Sequence, residues 1–551
     1  MFPQRWASGG GQRTARPTRR KFFRLGFWKR LADKPRVNSP ASNDGLSRGL
    51  RRYLFLTAAT TGAAIMIVEI LGAKMLAPYL GTSHFVWTAQ IGVAMASLAV
   101  GYYHGGRWAD SGPNLGKLYG AIIAAALYLV AATLGIRRVA DLCVDLPLPV
   151  GSLLASAFLF FIPLALLAMT GPFLIRVITS QLQGIGGNVG RLSAVSTVGS
   201  FLGTGLIGYA LIPLLPNTVT MMATAGVLTL VALGYFLVWS SSRAKAVGSA
   251  LLVFGLGAFG IIDSRRSNLS GWVEIFRGNS SFGQIQVIDA KLDDRRYYLN
   301  DFLTQNTYDR EKEQSLSLFT YALHGLGKAY TERIDAALCI GVGVGIVPMN
   351  LVKEGVRVDA VEINPAIVPV AEKFFGFQPA KMNLVVGDGR QFLHRTKNRY
   401  DLVVLDAFLG DSSPSHLMTR EAFSEMKAVM QPAGVLVINC FGDRTPGKDF
   451  FAASLEKTLK AVFRGVRLHE TGNGNMFFVA SPSELTPKRP LDVAGTPGFI
   501  ADQLRGLFQG VFEANPLSGI VLTDDFNPVE FHDAPNRERV RRQLATMIRR
   551  L

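Results

Sequence analysis

The sequence predicts a multi-pass α-helical membrane domain followed by an α/β domain built on a doubly wound, largely parallel sheet. Three observations carry this. The first half holds seven apolar runs of near-membrane length. From Ser281 onward, short apolar strands alternate with helical segments, the pattern of a parallel sheet with helices on its faces. Between two of those strands lies a glycine-rich turn, Gly341-x-Gly343-x-Gly345, followed about twenty residues later by an acid, Glu362.

Composition divides the chain in the same way. Of 551 residues, 49% are hydrophobic and only 18% charged, with mean hydropathy +0.24. A soluble domain carries about a quarter charged residues, so part of this chain avoids water. The net charge is +18, and much of it sits between Arg13 and Arg30, with aromatics interleaved. Apolar runs follow directly. A cytoplasmic tail over 1–52, resting on anionic lipid headgroups, is therefore favoured over nucleic-acid binding. The first apolar run begins near Tyr53 and is too long for a secretory signal. Cys143, Cys339 and Cys440 lack metal-ligand spacing, and no metal is expected. Cys339 reads as a small core hydrophobe.

A bilayer crossing needs about twenty apolar residues. The runs fall near 53–76, 86–106, 116–136, 150–171, 192–213, 217–239 and 246–263, giving a membrane domain over 53–263. Gly, Ala and Ser recur in them, as between Gly199 and Ile212, which suits close helix packing. Glu69 and Lys74 lie in or near the first run, where a charge is costly unless it has a function, a partner or a route to the interface. The tail, Arg107, Arg176 with Arg191, and Arg243 with Lys245 fall on one side, which the positive-inside rule makes the cytoplasm; Arg137 and Arg138 argue weakly against it. Seven crossings would leave the C-terminal half outside. The last run is short and Gly-rich, however, and reads as re-entrant or interfacial. A cytosolic co-substrate is also needed, so the C-terminal half is expected in the cytoplasm.

The soluble half opens with an entry region over 264–330. There the stretches around Phe282–Ala290 and Arg295–Leu303 alternate as hairpin strands, and a helix is expected from about Glu311 to Leu326. Over 331–485 the strands are AALCIGV, VDAVEI, NLVVGD, YDLVVLDAF, AGVLVINC and NMFFVAS, with helical segments such as MTREAFSEMKAVMQ between them. Residues 486–551 are expected to be a helical extension.

Ligands of such sheets bind at the strand C-termini. A dinucleotide fingerprint would want G-x-G-x-x-G, but Ile346 occupies its last place. Glycine here allows a tight turn and close approach of a ligand to the backbone. Glu362 ends the second strand, where an acid accepts from ribose hydroxyls. Asp388, before Gly389, follows the third strand; its carboxylate can accept from an adenine amine or cap a helix. Asp406 ends the fourth strand. Three acids at successive strand ends suit a cationic adenosyl-sulfonium and suit a pyrophosphate poorly.

Residues from about 281 to 485 resemble the spermidine synthase family, the polyamine aminopropyltransferases. The resemblance rests on FGQIQV, LNDFLTQNTYD, CIGVGVGIVP, VEINP, VVGDGRQFL and YDLVVLDAF. The whole chain resembles bacterial proteins in which such a domain is fused to a transporter-like membrane domain. The resemblance implies a Rossmann-like class I methyltransferase / spermidine synthase fold. It also implies decarboxylated S-adenosylmethionine or S-adenosylmethionine as co-substrate, and a small amine or polyamine as acceptor. It gives Glu362 the ribose, gives Asp388 and Gly389 the adenine, and places Gln305 and Asp309 at the family's acidic loop. Three positions depart from the family pattern. Val344 stands where the family has an Asp that holds the aminopropyl amine, Leu409 stands at the catalytic Asp, and Gly283 stands at a Gln. A Tyr-His-Glu signature after Asp309 is missing.

An attacking amine must lose its proton to expose a lone pair. Asp411 and His416, in the loop after the fourth strand, are the candidate bases, with Asp406 orienting donor or amine. Asp411 reads equally as a turn initiator, and His416 as a contact to the helix near Thr419. Asp524, Asp525 and Glu530 read as an acidic lid or an ordered turn. The expected protein is an inner-membrane, multi-pass aminopropyltransferase-like enzyme. An S-adenosylmethionine-dependent methyltransferase is the alternative, and a transporter or sensor with a nucleoside- or polyamine-binding domain is the reading from another class. A homodimer is left open.

Overall fold

The computed structural model describes residues 46–81, 84–179, 185–265, 271–408, 414–470, 474–534 and 536–540. Among these, seven helices are long and apolar enough to cross a membrane: Arg48–Leu80, Phe85–Asp110, Leu115–Val144, Leu148–Ile178, Ile185–Leu214, Asn217–Trp239 and Arg243–Ser264. Each apolar run of the sequence falls inside one of them. Small residues set their closest contacts. A Cβ on Gly199 of the fifth helix would lie 2.1 Å from the carbonyl oxygen of Ala59 on the first, so the two backbones touch as small-residue interfaces permit. Glu69 and Lys74 are half-buried on the first helix.

The seventh run forms a continuous helix of 22 residues, long and apolar enough to cross a membrane, and it packs against the third and sixth helices. Arg51, Arg107, Arg176 and Arg243 lie toward one end of the bundle, and Arg137 and Arg138 toward the other. At the first end Arg51 donates to Asn188 at 3.3 Å, and Arg176 pairs with Asp110 at 3.5 Å. The soluble half touches the other end, at Phe85, Leu215 and Ser264.

The entry region is a five-stranded antiparallel sheet, larger than a hairpin: β1 (Trp272–Ser280), β2 (Gly283–Ala290), β3 (Arg295–Asn300), β4 (Leu303–Asp309) and β5 (Gln314–Ser315). β1 lies before the point where alternation becomes legible. The helix expected from Glu311 starts only at Leu318 and runs to Tyr330. Glu313 takes a positive φ of 50°, and Gln314–Ser315 pair with β4. Sheet pairing overrides the helix propensity of this charged segment.

The main sheet has eight strands. In chain order these are β6 (Ala336–Ile340), β7 (Arg357–Glu362), β8 (Asn383–Val386), β9 (Tyr400–Leu405), β10 (Met430–Phe441), β11 (Gly465–Glu470), β12 (Asn475–Ser481) and β13 (Val511–Phe512). Their spatial order is β13-β11-β12-β10-β9-β6-β7-β8. The pairs from β8 to β10 are parallel, and β12, β11 and β13 close the edge antiparallel. Apolar clusters cover both faces, one around Leu338, Val403 and Phe478 and the other around Cys339, Val404 and Phe477. Order reverses between β6 and β9, and a crevice opens there at the strand C-termini.

The described part of the segment beyond 485 is helical in part. Among its described residues are a helix of three turns, Gly498–Gln509, the edge strand β13, a short helix, Val529–His532, and a helical stretch over 536–540. The rest is irregular chain tied to the domain. Asp524 forms a two-pronged pair with Arg390, at 2.8 and 2.6 Å, and accepts from Thr419 at 2.7 Å. Proline-rich, glycine-rich sequence such as Ser483–Gly498 disfavours continuous helix.

Candidate active site

The turn after β6 is built by glycine. Gly341 has φ 88°, and a Cβ there would lie 2.3 Å from the carbonyl oxygen of Asp406. Only glycine allows β6 and β9 to end this close together. Gly343 and Gly345 also take positive φ, 53° and 84°. The following helix, Ile346–Lys353, starts at Gly345.

Glu362 closes the turn from beneath. Its Oε2 accepts from the backbone N–H groups of Val342 (3.0 Å) and Gly343 (3.2 Å), and its Oε1 from that of Asn364 (2.8 Å). These bonds use three of the roughly four acceptor sites of a carboxylate, so the side chain is fixed with capacity for one hydroxyl donor. Asp388 is the N-cap of helix Gly389–Arg395: its Oδ1 accepts from Gln391 N–H at 2.9 Å. Its Oδ2 faces Nε2 of His416 at 3.2 Å.

Asp406 stands at the end of β9, half-buried. Burial is the main influence on its carboxyl and pushes it up to about 6. Nδ2 of Asn439 donates to Oδ1 at 2.9 Å and works against that rise, while the Glu362 charge adds to it. Asn475 donates in turn to Oδ1 of Asn439 at 3.2 Å. Among the described residues, Oδ2 of Asp406 has no hydrogen-bond partner.

These groups surround one cavity of about 430 Å³. Gln305, Gly341, Gly343, Glu362, Asp388, Gly389, Asp406 and His416 all line it. Gly345 does not; it serves the turn, where a Cβ would lie 2.1 Å from the Phe377 ring. Asp411 lies outside the described residues, as does Leu409. Asp309 is not on the lining; it accepts from Lys312 N–H within its own turn. Asp524, Asp525 and Glu530 are also absent from it, and Asp524 is held by Arg390 as the ordered-turn reading requires. His416 meets Asp388, not the helix start near Thr419, whose cap is Thr419 itself. Cys339 is buried, and burial pushes its thiol up to about 12. Among the described residues no group of three His, Cys, Asp or Glu is placed to hold a metal ion.

Sequence reasoning missed Asn439 and Asn475. One signal was present: Asn439 interrupts the apolar strand VLVINCF. A buried amide is costly unless it is hydrogen-bonded, so its position marks a polar partner nearby.

Fold and crevice together define a Rossmann-like α/β domain of the class I methyltransferase / spermidine synthase kind. Residues 318–468 match the spermine/spermidine synthase domain family. The chain is 39% identical over 121 residues to a polyamine aminopropyltransferase of Vibrio vulnificus, covering 21% of this chain and 40% of that one. It is 25% identical over 221 residues to a probable polyamine aminopropyl transferase of Bifidobacterium longum, covering 39% and 47%. It is also 32% identical over 151 residues to an N-terminal histidine N-methyltransferase of Emericella nidulans, covering 26% of each chain. The chain thus spans less than half the length of each of these curated relatives.

Proposed function

We propose that this protein is a membrane-anchored transferase that moves an aminopropyl group from decarboxylated S-adenosylmethionine to an amine acceptor of the polyamine class. The observation that carries the reading is the single cavity that brings together the glycine turn, Glu362, Asp388 and the half-buried Asp406, inside a domain matched to the spermine/spermidine synthases. Glu362 takes a ribose hydroxyl and Asp388 the adenine amine. The acceptor nitrogen attacks the donor carbon next to sulfur, the C–S bond breaks, and the sulfonium becomes the neutral thioether of methylthioadenosine. The proton leaving the nitrogen goes to Oδ2 of Asp406. This assignment moves the base from Asp411 or His416 to Asp406. His416 is engaged with Asp388, whereas Asp406 has a raised pKa that still leaves it mostly ionised at neutral pH.

Methyl transfer is the second reading. The N-methyltransferase relative favours it, as do Val344 and Gly283 at positions where the aminopropyltransferase pattern has polar side chains. One pair of assays on the purified chain separates the two. Methylthioadenosine formed from decarboxylated S-adenosylmethionine supports aminopropyl transfer, and S-adenosylhomocysteine formed from S-adenosylmethionine supports methyl transfer. No turnover of either donor rejects both. The transport or sensing reading draws on a separate cavity of about 600 Å³ among the first, second, fourth and fifth helices, lined in part by Thr61, Ser196, Asp110 and Arg176.

A further inference from the structure

The fifth helix is irregular at its end. Ile207–Leu211 forms a π-helical turn, Pro213 follows, and Leu215 leaves in an extended conformation. The carbonyl of Leu215 then accepts from Nδ2 of Asn279 at 2.7 Å. Asn279 is the penultimate residue of β1, at the turn into β2.

The next residue, Ser280, is buried and makes three contacts through Oγ. It donates to the carbonyl of Gly283 at 2.8 Å, and accepts from Phe282 N–H at 3.1 Å and from Nδ2 of Asn364 at 3.2 Å. The backbone N–H of Asn364 is the group bonded to Oε1 of Glu362. Glu362 in turn holds the glycine turn. The β1–β2 turn itself has no slack: a Cβ on Gly283 would lie 2.4 Å from Oδ1 of Asn300, and Asp301 fixes Gln284 N–H at 2.8 Å. Phe282, from the same turn, lines the cavity beside Glu362 and Asn364.

We infer that Asn279 and Ser280 are positioning residues for the nucleoside site: anchored to the end of the fifth helix, they hold Asn364 and, through it, the Glu362 carboxylate in its binding orientation. The inference rests on the cavity being a nucleoside site. Its physical basis is that Glu362 is useful only while its backbone bonds fix it. Asn364 supplies the bond to Oε1, and Asn364 is held by the turn that Leu215 pins. Coupling of this kind is reciprocal, so bound nucleoside also steadies the helix end.

The test uses the full chain in detergent and methylthioadenosine as the probe. Asn279→Ala and Ser280→Ala should each weaken its binding by about fivefold or more, the lower end of measured site-to-site couplings. The donor KM should rise with kcat largely kept, because the Asp406 end of the site is untouched. A purely structural role would lower the unfolding midpoint and leave the affinity of the folded protein unchanged. Should the variants fail to fold, hydrogen exchange on the unmodified chain serves instead: added methylthioadenosine should slow exchange across residues 207–216. Wild-type affinity in both variants, or no change in exchange at that helix end, overturns the inference. A wild-type chain that binds no methylthioadenosine at all rejects the functional reading, a different result from either.

Discussion

Asn439 donates its side-chain amide to Oδ1 of Asp406 at 2.9 Å, where β10 and β9 run side by side. Burial pushes the carboxyl up to about 6, and the amide resists that rise. A carboxyl raised in the fold keeps its proton longer than in the unfolded chain. Its basic form therefore appears only as pH climbs through about 6, and folding stability contributed by this group falls over the same climb from the ordinary value near 4.

Turnover should follow that titration. The acid limb of kcat/KM should lie near 6. Asn439→Ala removes the donor that favours the carboxylate, so the limb should move to higher pH. Asp406→Asn should lower kcat by about 10²–10⁴-fold, the usual span for loss of a general base, and abolish the limb. A pH–rate profile following methylthioadenosine checks all three. A limb that Asn439→Ala leaves in place would show that another group titrates.

Glu362→Ala should weaken nucleoside binding by about 1–3 kcal/mol, the cost of leaving polar partners unpaired. Here the unpaired groups are three backbone N–H donors as well as a ribose hydroxyl. Calorimetry with methylthioadenosine reads the loss. Tight binding of NAD instead, with no response to an adenosyl-sulfonium or its thioether, would refute the nucleoside assignment.

The glycines of the turn are not equivalent. Gly343 has φ 53° with open space beyond its missing Cβ, whereas Gly341 combines φ 88° with a backbone oxygen 2.3 Å from where a Cβ would stand. Gly343→Ala should cost about 1–2 kcal/mol, the left-handed penalty alone. Gly341→Ala should cost more, because β6 and β9 must part. Thermal unfolding with nucleoside titration ranks the two, and equal losses would contradict the steric account.

The legible parts of this chain were those written in local pattern. Seven runs of membrane length located seven helices, since length and hydropathy are properties of a continuous segment. The glycine turn, Glu362 and Asp388 were legible because the strand-turn-helix unit fixes their places by spacing. What escaped was set at long range. β1 is recognisable only once paired with β2, and the charged stretch before Leu318 is a strand edge because β4 lies beside it. Asn475 reaches Asn439 across a sheet pair 36 residues apart in the chain. His416, read as a candidate base or a contact to the helix near Thr419, lines the cavity and meets Asp388; no spacing rule says which carboxylate a loop histidine will meet.

The last prediction concerns sidedness. The soluble half touches the bundle only at the ends carrying Phe85, Leu215 and Ser264 among the contacts described, while Arg51, Arg107, Arg176 and Arg243 lie at the other end and only Arg137 and Arg138 of the arginines named above lie toward this one. If every one of the seven helices crosses the bilayer, the start of the first helix at Arg48 and the soluble half lie on opposite sides. The positive-inside rule then puts that helix start in the cytoplasm and the soluble half outside it. Supply of a cytosolic donor argues the other way; the seventh segment, read from the sequence as re-entrant or interfacial, is a helix of 22 residues packed against the third and sixth. Reporters fused at Met1 and at Leu551 should therefore give opposite signals, with the cytoplasmic one at Met1. Cytoplasmic signals from both fusions would show that one helix lies along the surface, and would return the domain to the compartment where the donor is made. Opposite signals together with turnover in the purified chain would require the donor or the product to cross the membrane, and would make the cavity lined by Thr61 and Ser196 the first place to look for its path.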